Sequence, residues 1–264
     1  MLIIIVFVVV EANAKNNFEG VSDLKADQNK ITEFLDKNLT EINTFELNEN
    51  NNNEFLWLKG AIGNSKIVML GEQDHGDATA FLAKARIIKY LHEEMGFNVL
   101  SFESGFYQCN QKNDLFREKS ISIKELKNVL WDFWTTDISI QEFYKYLDEC
   151  NNSSNPINVS GFDCQYVNLW RNKNFAESYL NYFIKSNAID IPSISLPIFE
   201  KTINDLFSKP HNNEYPKEQK EQFLKSLDDL IKIRELNSSK NDFSLQELKN
   251  LKGYASYIWS DEKK

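Results

Sequence analysis

The sequence contains few cysteines and none of the compact motifs of well-known catalytic centres. Its three cysteines, Cys109, Cys150 and Cys164, show neither C-x-x-C spacing nor an associated histidine. This pattern indicates neither a zinc site nor a dense disulfide framework, and an unpaired thiol is expected to be buried and inert. The chain also lacks G-x-S-x-G, H-E-x-x-H, Walker and G-x-G-x-x-G motifs. A serine-triad esterase is therefore disfavoured.

The chain has fewer basic residues than acidic residues. The chain has 30 Lys and Arg residues against 39 Asp and Glu residues, which gives a net charge of -9. A surface of this sign does not attract phosphate backbones or anionic membranes, so nucleic acid is a poor candidate partner. The 264 residues, 42% of them hydrophobic, suffice for the packed core of one large domain or two small ones.

The N-terminal apolar run, Leu2–Val10, is too short to span a bilayer. It is followed by Ala12-Asn13-Ala14, which resembles the cleavage site of a secretory signal. We therefore expect residues 1–14 to be a signal peptide of a bacterial protein that is periplasmic or secreted, with no membrane association after cleavage. No Lys or Arg precedes the run, and the alternative is a buried first strand rich in Ile and Val.

Short apolar runs alternate with helix-periodic stretches over the middle of the chain. This pattern predicts an α/β fold, with a parallel sheet and flanking helices in a core at residues 66–165. The predicted strands are 66–70, 98–102 and 157–161, and the predicted helices are 27–39, 79–95, 123–134 and 140–149. Gly96 follows the second of these helices, where a C-terminal cap is needed.

From residue 168 to residue 264 the periodicity is almost wholly helical, with stretches near 175–185, 198–207, 216–236 and 245–259. This predicts a helical subdomain in the C-terminal half. Together with the α/β core it forms one predicted domain at residues 15–264, since no long linker interrupts it.

A carboxylate follows each of the predicted strands: Glu72, Glu103 and Asp163. In an open parallel sheet the binding crevice lies outside the carboxyl ends of the strands, so these acids are expected to converge. Like charges that are brought together raise one another's pKa values. Such a cluster favours proton transfer or requires a cationic partner.

His75 lies in a glycine-flanked turn between the first predicted strand and the following helix. A helix N-terminus disfavours the imidazolium, and a neutral ring suits a general base. Lys84 and Arg86 on that helix can supply positive charge, but residues two apart do not share a helix face, so at most one is expected to point at the site. Trp134 is mostly a core residue by its spacing, although it could form an apolar wall for a bulky substrate. His92 is expected to be a helix-end residue.

The order of these residues resembles the erythromycin esterase family. The similar segments are Val68–Gly76, Lys84–Arg86, Glu93–Phe97, Phe102–Phe106 and Gly161–Gln165. The resemblance implies a hydrolase of the lactone ester of macrolide antibiotics, an activity of antibiotic resistance, in which a histidine activates water. By position, His75 matches that base, and Glu72 and Glu103 match its acidic partners.

Further site residues follow from the same resemblance. Arg86 or Lys84 matches the charge-balancing group, and Lys84, Trp134 and Asp163 are expected to contact a small-molecule ester or macrolide. No cofactor is implied. A second histidine, in an Ala-His-Asn context in family members, has no match before Lys264, so we expect the chain to be truncated at its C-terminus.

Two other classes of function stay open. In a metal-dependent hydrolase, Glu72, His75, Glu103 and Asp163 would be ligands of a divalent metal, since carboxylates and imidazole suit zinc, manganese or iron. In a non-catalytic exported binding protein, the same polar cluster would only recognise a ligand.

Overall fold

The computed structural model describes residues 2–5, 33, 37, 42–49, 52–71, 77–166, 175–181, 196–208, 215–237 and 243–260. The chain divides into two compact units. Unit 1 comprises residues 1–103 and 113–160, and unit 2 comprises residues 104–112 and 161–264. The α/β core was predicted to end at residue 165 and the helical part to begin at residue 168. Both positions lie within unit 2.

The described residues form a sheet with the strand order β2-β1-β3-β4. The strands are β1 Leu2–Ile5, β2 Ile67–Leu70, β3 Val99–Gly105 and β4 Asn158–Asp163. β1 pairs in parallel with both β2 and β3. The predicted α/β fold and its three strands are confirmed, but β2 and β3 are not neighbours, because β1 lies between them.

β1 belongs to the N-terminal apolar run. Leu2 is in register with Ile67 of β2 on one side and with Val99 of β3 on the other. A paired strand here is what the alternative to a signal peptide predicts. The cleavage-like site at residues 12–14 lies outside the described residues, and the signal peptide stays a prediction.

The longest helix of unit 1 has the local signals that start and stop a helix. Asp77 is its N-cap, with a side-chain oxygen that accepts from the backbone N–H groups of Thr79 (3.0 Å) and Ala80 (3.1 Å). Gly96 ends it with a left-handed φ of 71°, as predicted for a C-terminal cap. The helices before residue 152 are α1 Leu56–Ile62, α2 Ala78–Met95, α3 Phe106–Arg117, α4 Ile123–Lys127, α5 Asp132–Thr135 and α6 Gln141–Asn151.

The prediction of a single helix at residues 123–134 is wrong, because the structure has two short helices there. Ser122 and Glu125 form a capping box that starts α4, but this helix ends at Lys127. Trp131 is extended, with a φ of -60° and a ψ of 148°, and α5 begins after it. The turn between the two short helices buries Leu130 and Val129, so the apolar spacing comes from a packed turn.

Unit 2 is built mainly from helices around an aromatic and aliphatic core. These are α7 Phe175–Leu180, α8 Leu196–Ser208, α9 Lys217–Asn237 and α10 Phe243–Ile258. Their core includes Phe199, Phe223, Leu227, Leu248 and Leu251. The predicted helices at 198–207, 216–236 and 245–259 are confirmed, and most of the helix predicted at 27–39 lies outside the described residues. No helix in the described ranges has the length and apolar character needed to cross a membrane.

Gly161 lies where the backbones of β3 and β4 approach each other closely. A Cβ atom at this position would lie 2.3 Å from the carbonyl oxygen of Ser104 and 2.7 Å from that of Gly105. Both neighbours are backbone atoms, which cannot rotate away as a side chain can. Only glycine fits here without moving a strand.

We expect Gly161→Ala to lower the free energy of unfolding by about 1–3 kcal/mol, because the methyl group overpacks against a strand backbone. Urea denaturation measures the change. Gly60→Ala is the matched control, because an added Cβ at Gly60 in α1 meets no atom within 4 Å. A helical Gly→Ala change stabilises by about 0.5–1 kcal/mol, and equal effects of the two substitutions would contradict the close approach.

Candidate active site

The predicted base lies in the chain between the end of β2 and the start of α2. β2 ends at Leu70, and the N-cap of α2 is Asp77. Glu72 and His75 lie between these two positions and outside the described residues. The described flanks therefore bracket His75 between the end of a strand and the N-terminus of an 18-residue helix.

Glu103 is half-buried within β3. The prediction that Glu103 directly follows its strand is wrong, because β3 ends at Gly105, three residues later than the predicted end at Phe102. Ser104 is fully buried, so its polar side chain does not mark the strand end as it would in a surface loop. The backbone oxygen of Glu103 accepts a hydrogen bond from Trp134 Nε1 over 3.3 Å, which fixes the strand at this residue.

Asp163 is the last residue of β4 and is half-buried. Its Oδ1 accepts from the backbone N–H of Gln165 over 3.0 Å, which closes a tight turn after the strand. Asp163 belongs to unit 2, whereas Glu103 belongs to unit 1. The convergence of the three acids with His75 stays a prediction.

Lys84 is buried, at 6% exposure, on the aromatic side of α2. Its Nζ lies 5.4 Å from the centroid of the Trp134 ring and 5.6 Å from that of Phe81, which are cation–π distances. Because Trp134 also donates to the backbone of Glu103, one indole connects the amine to the strand that carries this acid.

The side chain of Arg86 contacts a different set of residues from that of Lys84. Its guanidinium forms an ion pair with Glu54 and donates to the backbone oxygen of Thr44, and the side chains of Arg86 and Glu54 are 2% and 8% exposed. The Asn43 backbone N–H, 3.0 Å from the Glu54 carboxylate, holds the pKa of that group below its ordinary value, and Arg86 lowers it further. The guanidinium also lies 4.9 Å above the Phe55 ring. Arg86 thus ties the segment before α1 to α2.

Trp134 is 1% exposed. Its ring packs 5.1 Å from that of Phe81 and 5.8 Å from that of Phe102, and its backbone oxygen accepts from Tyr144 Oη over 2.8 Å. So little exposed surface favours the interpretation of Trp134 as a core residue over that of a substrate wall.

His92 lies in the last turn of α2, as predicted, and is 3% exposed. Its Nδ1 is 2.6 Å from Tyr146 Oη and 3.9 Å from Cys150 Sγ. Burial lowers the pKa of His92, so the neutral ring is favoured.

All three cysteines are free thiols, and burial raises the pKa of each, which agrees with the prediction of inert sulfhydryls.

Glu247 on α10 is a buried acid that the sequence reasoning missed. It is 0% exposed, and its Oε1 accepts from the Tyr166 hydroxyl. Helical periodicity was the available signal, because Leu251, Tyr254 and Ile258 follow it at the spacing of one buried face.

Among the described residues no group of three or more His, Cys, Asp or Glu side chains is arranged to hold a metal ion.

The chain is similar in sequence and in fold to several known proteins. YbfO of Bacillus subtilis (strain 168), which is named as a hydrolase, is 29% identical over 210 residues, 79% of this chain. The chain spans 45% of the length of that protein. A crystal structure of a Bacillus cereus protein superposes with a TM-score of 0.66 at 21% identity, over 89% of this chain and 58% of that one.

A mutant of the erythromycin esterase EreC in its open conformation superposes with a TM-score of 0.57 at 20% identity, over 81% of this chain and 54% of that one. At such identities the likeness concerns the fold. The erythromycin esterase family model matches residues 92–250, which is more than half of the sequence. The chain therefore belongs to the erythromycin esterase family of hydrolases.

Proposed function

We propose that this protein hydrolyses a carboxylic ester, with macrolide lactones as one candidate substrate class, and that His75 is the general base. The observation that carries the proposal is the position of His75 between the end of β2 and the capped N-terminus of α2. The positive end of a helix dipole disfavours an imidazolium, so a histidine that precedes a helix is suited to accept a proton. Membership of the hydrolase family is consistent with this chemistry.

In the proposed reaction His75 takes a proton from water while the water oxygen attacks the ester carbonyl. The tetrahedral intermediate then collapses, the bond from carbon to the alkoxy oxygen breaks, and the proton passes from His75 to the departing alcohol. Glu72 and Glu103 stabilise the imidazolium that forms between these two steps. The products are one carboxylic acid and one alcohol, or a ring-opened hydroxy acid from a lactone.

We assign the charge-balancing role to Lys84 rather than to Arg86. The support is that Arg86 is engaged by Glu54 and the Thr44 carbonyl, whereas the amine of Lys84 lies over the indole that hydrogen-bonds to the backbone of Glu103. An ammonium group in this position would offset the charge of the clustered acids. Asp163 is proposed to contact the substrate.

The test is turnover of short activated esters and of erythromycin by purified protein, dialysed against a chelator and then supplied with zinc, manganese or iron. We expect ester turnover that the metals do not raise. Turnover that appears only with a metal would establish the metal-dependent alternative. Saturable ester binding without any turnover would establish the binding-protein alternative.

We also propose export, with a mature chain that begins near Lys15. The support is the apolar run that ends at Ala12-Asn13-Ala14, while the pairing of β1 in the sheet argues for retention. Intact-mass measurement of protein recovered from the periplasm or medium of a bacterial host decides between them. A chain that retains Met1 to Ala14 would contradict cleavage and establish β1 as a strand of the mature protein.

A further inference from the structure

α10 contacts the turn that follows β4 at two points on one helix face. Glu247 Oε1 accepts a hydrogen bond from the Tyr166 hydroxyl. Three residues along the helix, Asn250 Nδ2 donates to the backbone oxygen of Cys164 over 3.4 Å. Residues three apart share a helix face, so both contacts come from the same side of α10. Asp163, the proposed substrate contact, starts this turn.

Tyr166 is held on several sides in the core of unit 2. It is 5% exposed, and its ring centroid lies 4.7 Å from that of Phe207, 4.9 Å from that of Tyr254 and 6.0 Å from that of Tyr179. The phenol oxygen is the one polar atom of this ring and it points at Glu247. A buried phenol that loses its acceptor is costly, so this bond sets the position of the ring.

The buried setting of Glu247 favours the neutral form of its carboxyl group. Burial raises its pKa to about 8, although hydrogen bonds from Tyr166, Tyr179 and Asn250 oppose the rise. In the part of the chain that the structure describes, no lysine or arginine pairs with it. The titratable groups that face it are the phenols of Tyr166 and Tyr179, and burial raises both of their pKa values well above the ordinary value, so neither phenol ionises near neutral pH.

We propose that Glu247, as the hydrogen-bond acceptor of the Tyr166 hydroxyl, is a positioning residue that fixes the turn from Asp163 to Tyr166 and thereby the direction of the Asp163 carboxylate. The fixing of the turn is independent of the reaction. The consequence for turnover rests on the proposed function of the site. Glutamine is the conservative replacement, because it is neutral and retains an oxygen acceptor for the Tyr166 hydroxyl.

The first experiment measures amide hydrogen exchange of the 161–166 peptide, corrected for intrinsic rates. Glu247→Gln should keep the protection of the wild type within about twofold, because the acceptor remains, whereas Glu247→Leu and Tyr166→Phe should each lower it about tenfold. Tyr257→Phe, an exposed tyrosine on the same helix, is the control. Equal protection in wild type, Glu247→Leu and Tyr166→Phe would overturn the proposal.

The second experiment measures the urea midpoint between pH 5 and pH 8.5. The unfolded chain releases the Glu247 proton at its ordinary pKa of 4.5, whereas the folded chain keeps it until about pH 8. The contribution of this group to stability is therefore complete below pH 4.5 and is lost as the pH rises through the folded pKa. The midpoint of the wild type should fall relative to that of Glu247→Gln over this interval, and parallel curves would show that the carboxyl is not held neutral.

The third experiment is kinetic. Glu247→Leu should lower kcat for an ester about tenfold with KM changed less than about twofold, and Glu247→Gln should restore kcat. Unchanged kcat in folded Glu247→Leu would contradict the link to Asp163. If the wild type turns over no ester, the proposed function fails, while the exchange and midpoint measurements still decide the role of Glu247 in the turn.

Discussion

The expected effect of His75→Ala is a fall in kcat/KM for a simple activated ester of about 10²- to 10⁴-fold in a domain that stays folded. This is the expected result because a positioned general base contributes a factor of that order, and alanine has no group to accept the proton. The measurement is steady-state hydrolysis near neutral pH, with circular dichroism and a urea midpoint for each variant. The circular dichroism spectrum and the urea midpoint separate loss of the base from loss of the fold.

The matched control is His211→Ala, which removes a histidine beside Pro210, far along the chain from the predicted site motifs. It should leave kcat/KM within about twofold of the wild type. Full activity of His75→Ala would show that another group activates the water. A comparable loss in both variants would show that the assay reports on something other than the base.

The second large effect concerns stability. Arg86→Met should lower the free energy of unfolding by more than the loss of an exposed ion pair does, because it removes the cation that pairs with the Glu54 carboxylate. Methionine keeps most of the apolar stem, so the change reports mainly on the guanidinium. The double variant Arg86→Met with Glu54→Leu should recover much of the loss, since no unpaired charge is left.

The control for this prediction is Lys249→Met, which breaks an exposed pair with Glu235 whose side chains are 44% and 48% exposed. Such a pair contributes at most about 1 kcal/mol. Urea denaturation gives the free energy of unfolding of the wild type and of the three variants. If Arg86→Met leaves stability unchanged but abolishes ester turnover, Arg86 is a catalytic residue and the assignment of its role to Lys84 is wrong.

Elements with strong local signals were predictable from the sequence. α2 was predicted within one residue because its apolar periodicity ends at a glycine suited to a left-handed cap. α3 was missed because its buried positions include Gln108 and Asn113, and Asn113 Oδ1 accepts from the Val159 N–H over 2.7 Å. Buried polar side chains with partners from distant segments break the pattern on which periodicity depends.

The N-terminal run shows a different limit. A stretch of Ile and Val followed by small residues is typical of both a signal sequence and a buried strand. The pairing of β1 depends on β2 and β3, which lie more than 60 residues along the chain. Local composition does not contain that information.

In the candidate site, Lys84 and Arg86 contact different groups, as expected for residues two apart on a helix, and the sequence could not say which of the two is engaged by an ion pair. The answer depends on Glu54, which lies 32 residues before Arg86 in a segment without periodicity. Glu247 was missed for a related reason, because its partner Tyr166 lies 81 residues before it in the sequence.

The most direct test of the proposed hydrolysis is mass spectrometry of an ester, and separately of erythromycin, after incubation with the protein in H₂¹⁸O. Hydrolysis by an activated water predicts a product that carries one ¹⁸O atom in the new carboxyl group, formed by the wild type and by His211→Ala but not by His75→Ala. Unchanged substrate with folded wild-type protein, for every ester and macrolide tried, would contradict it.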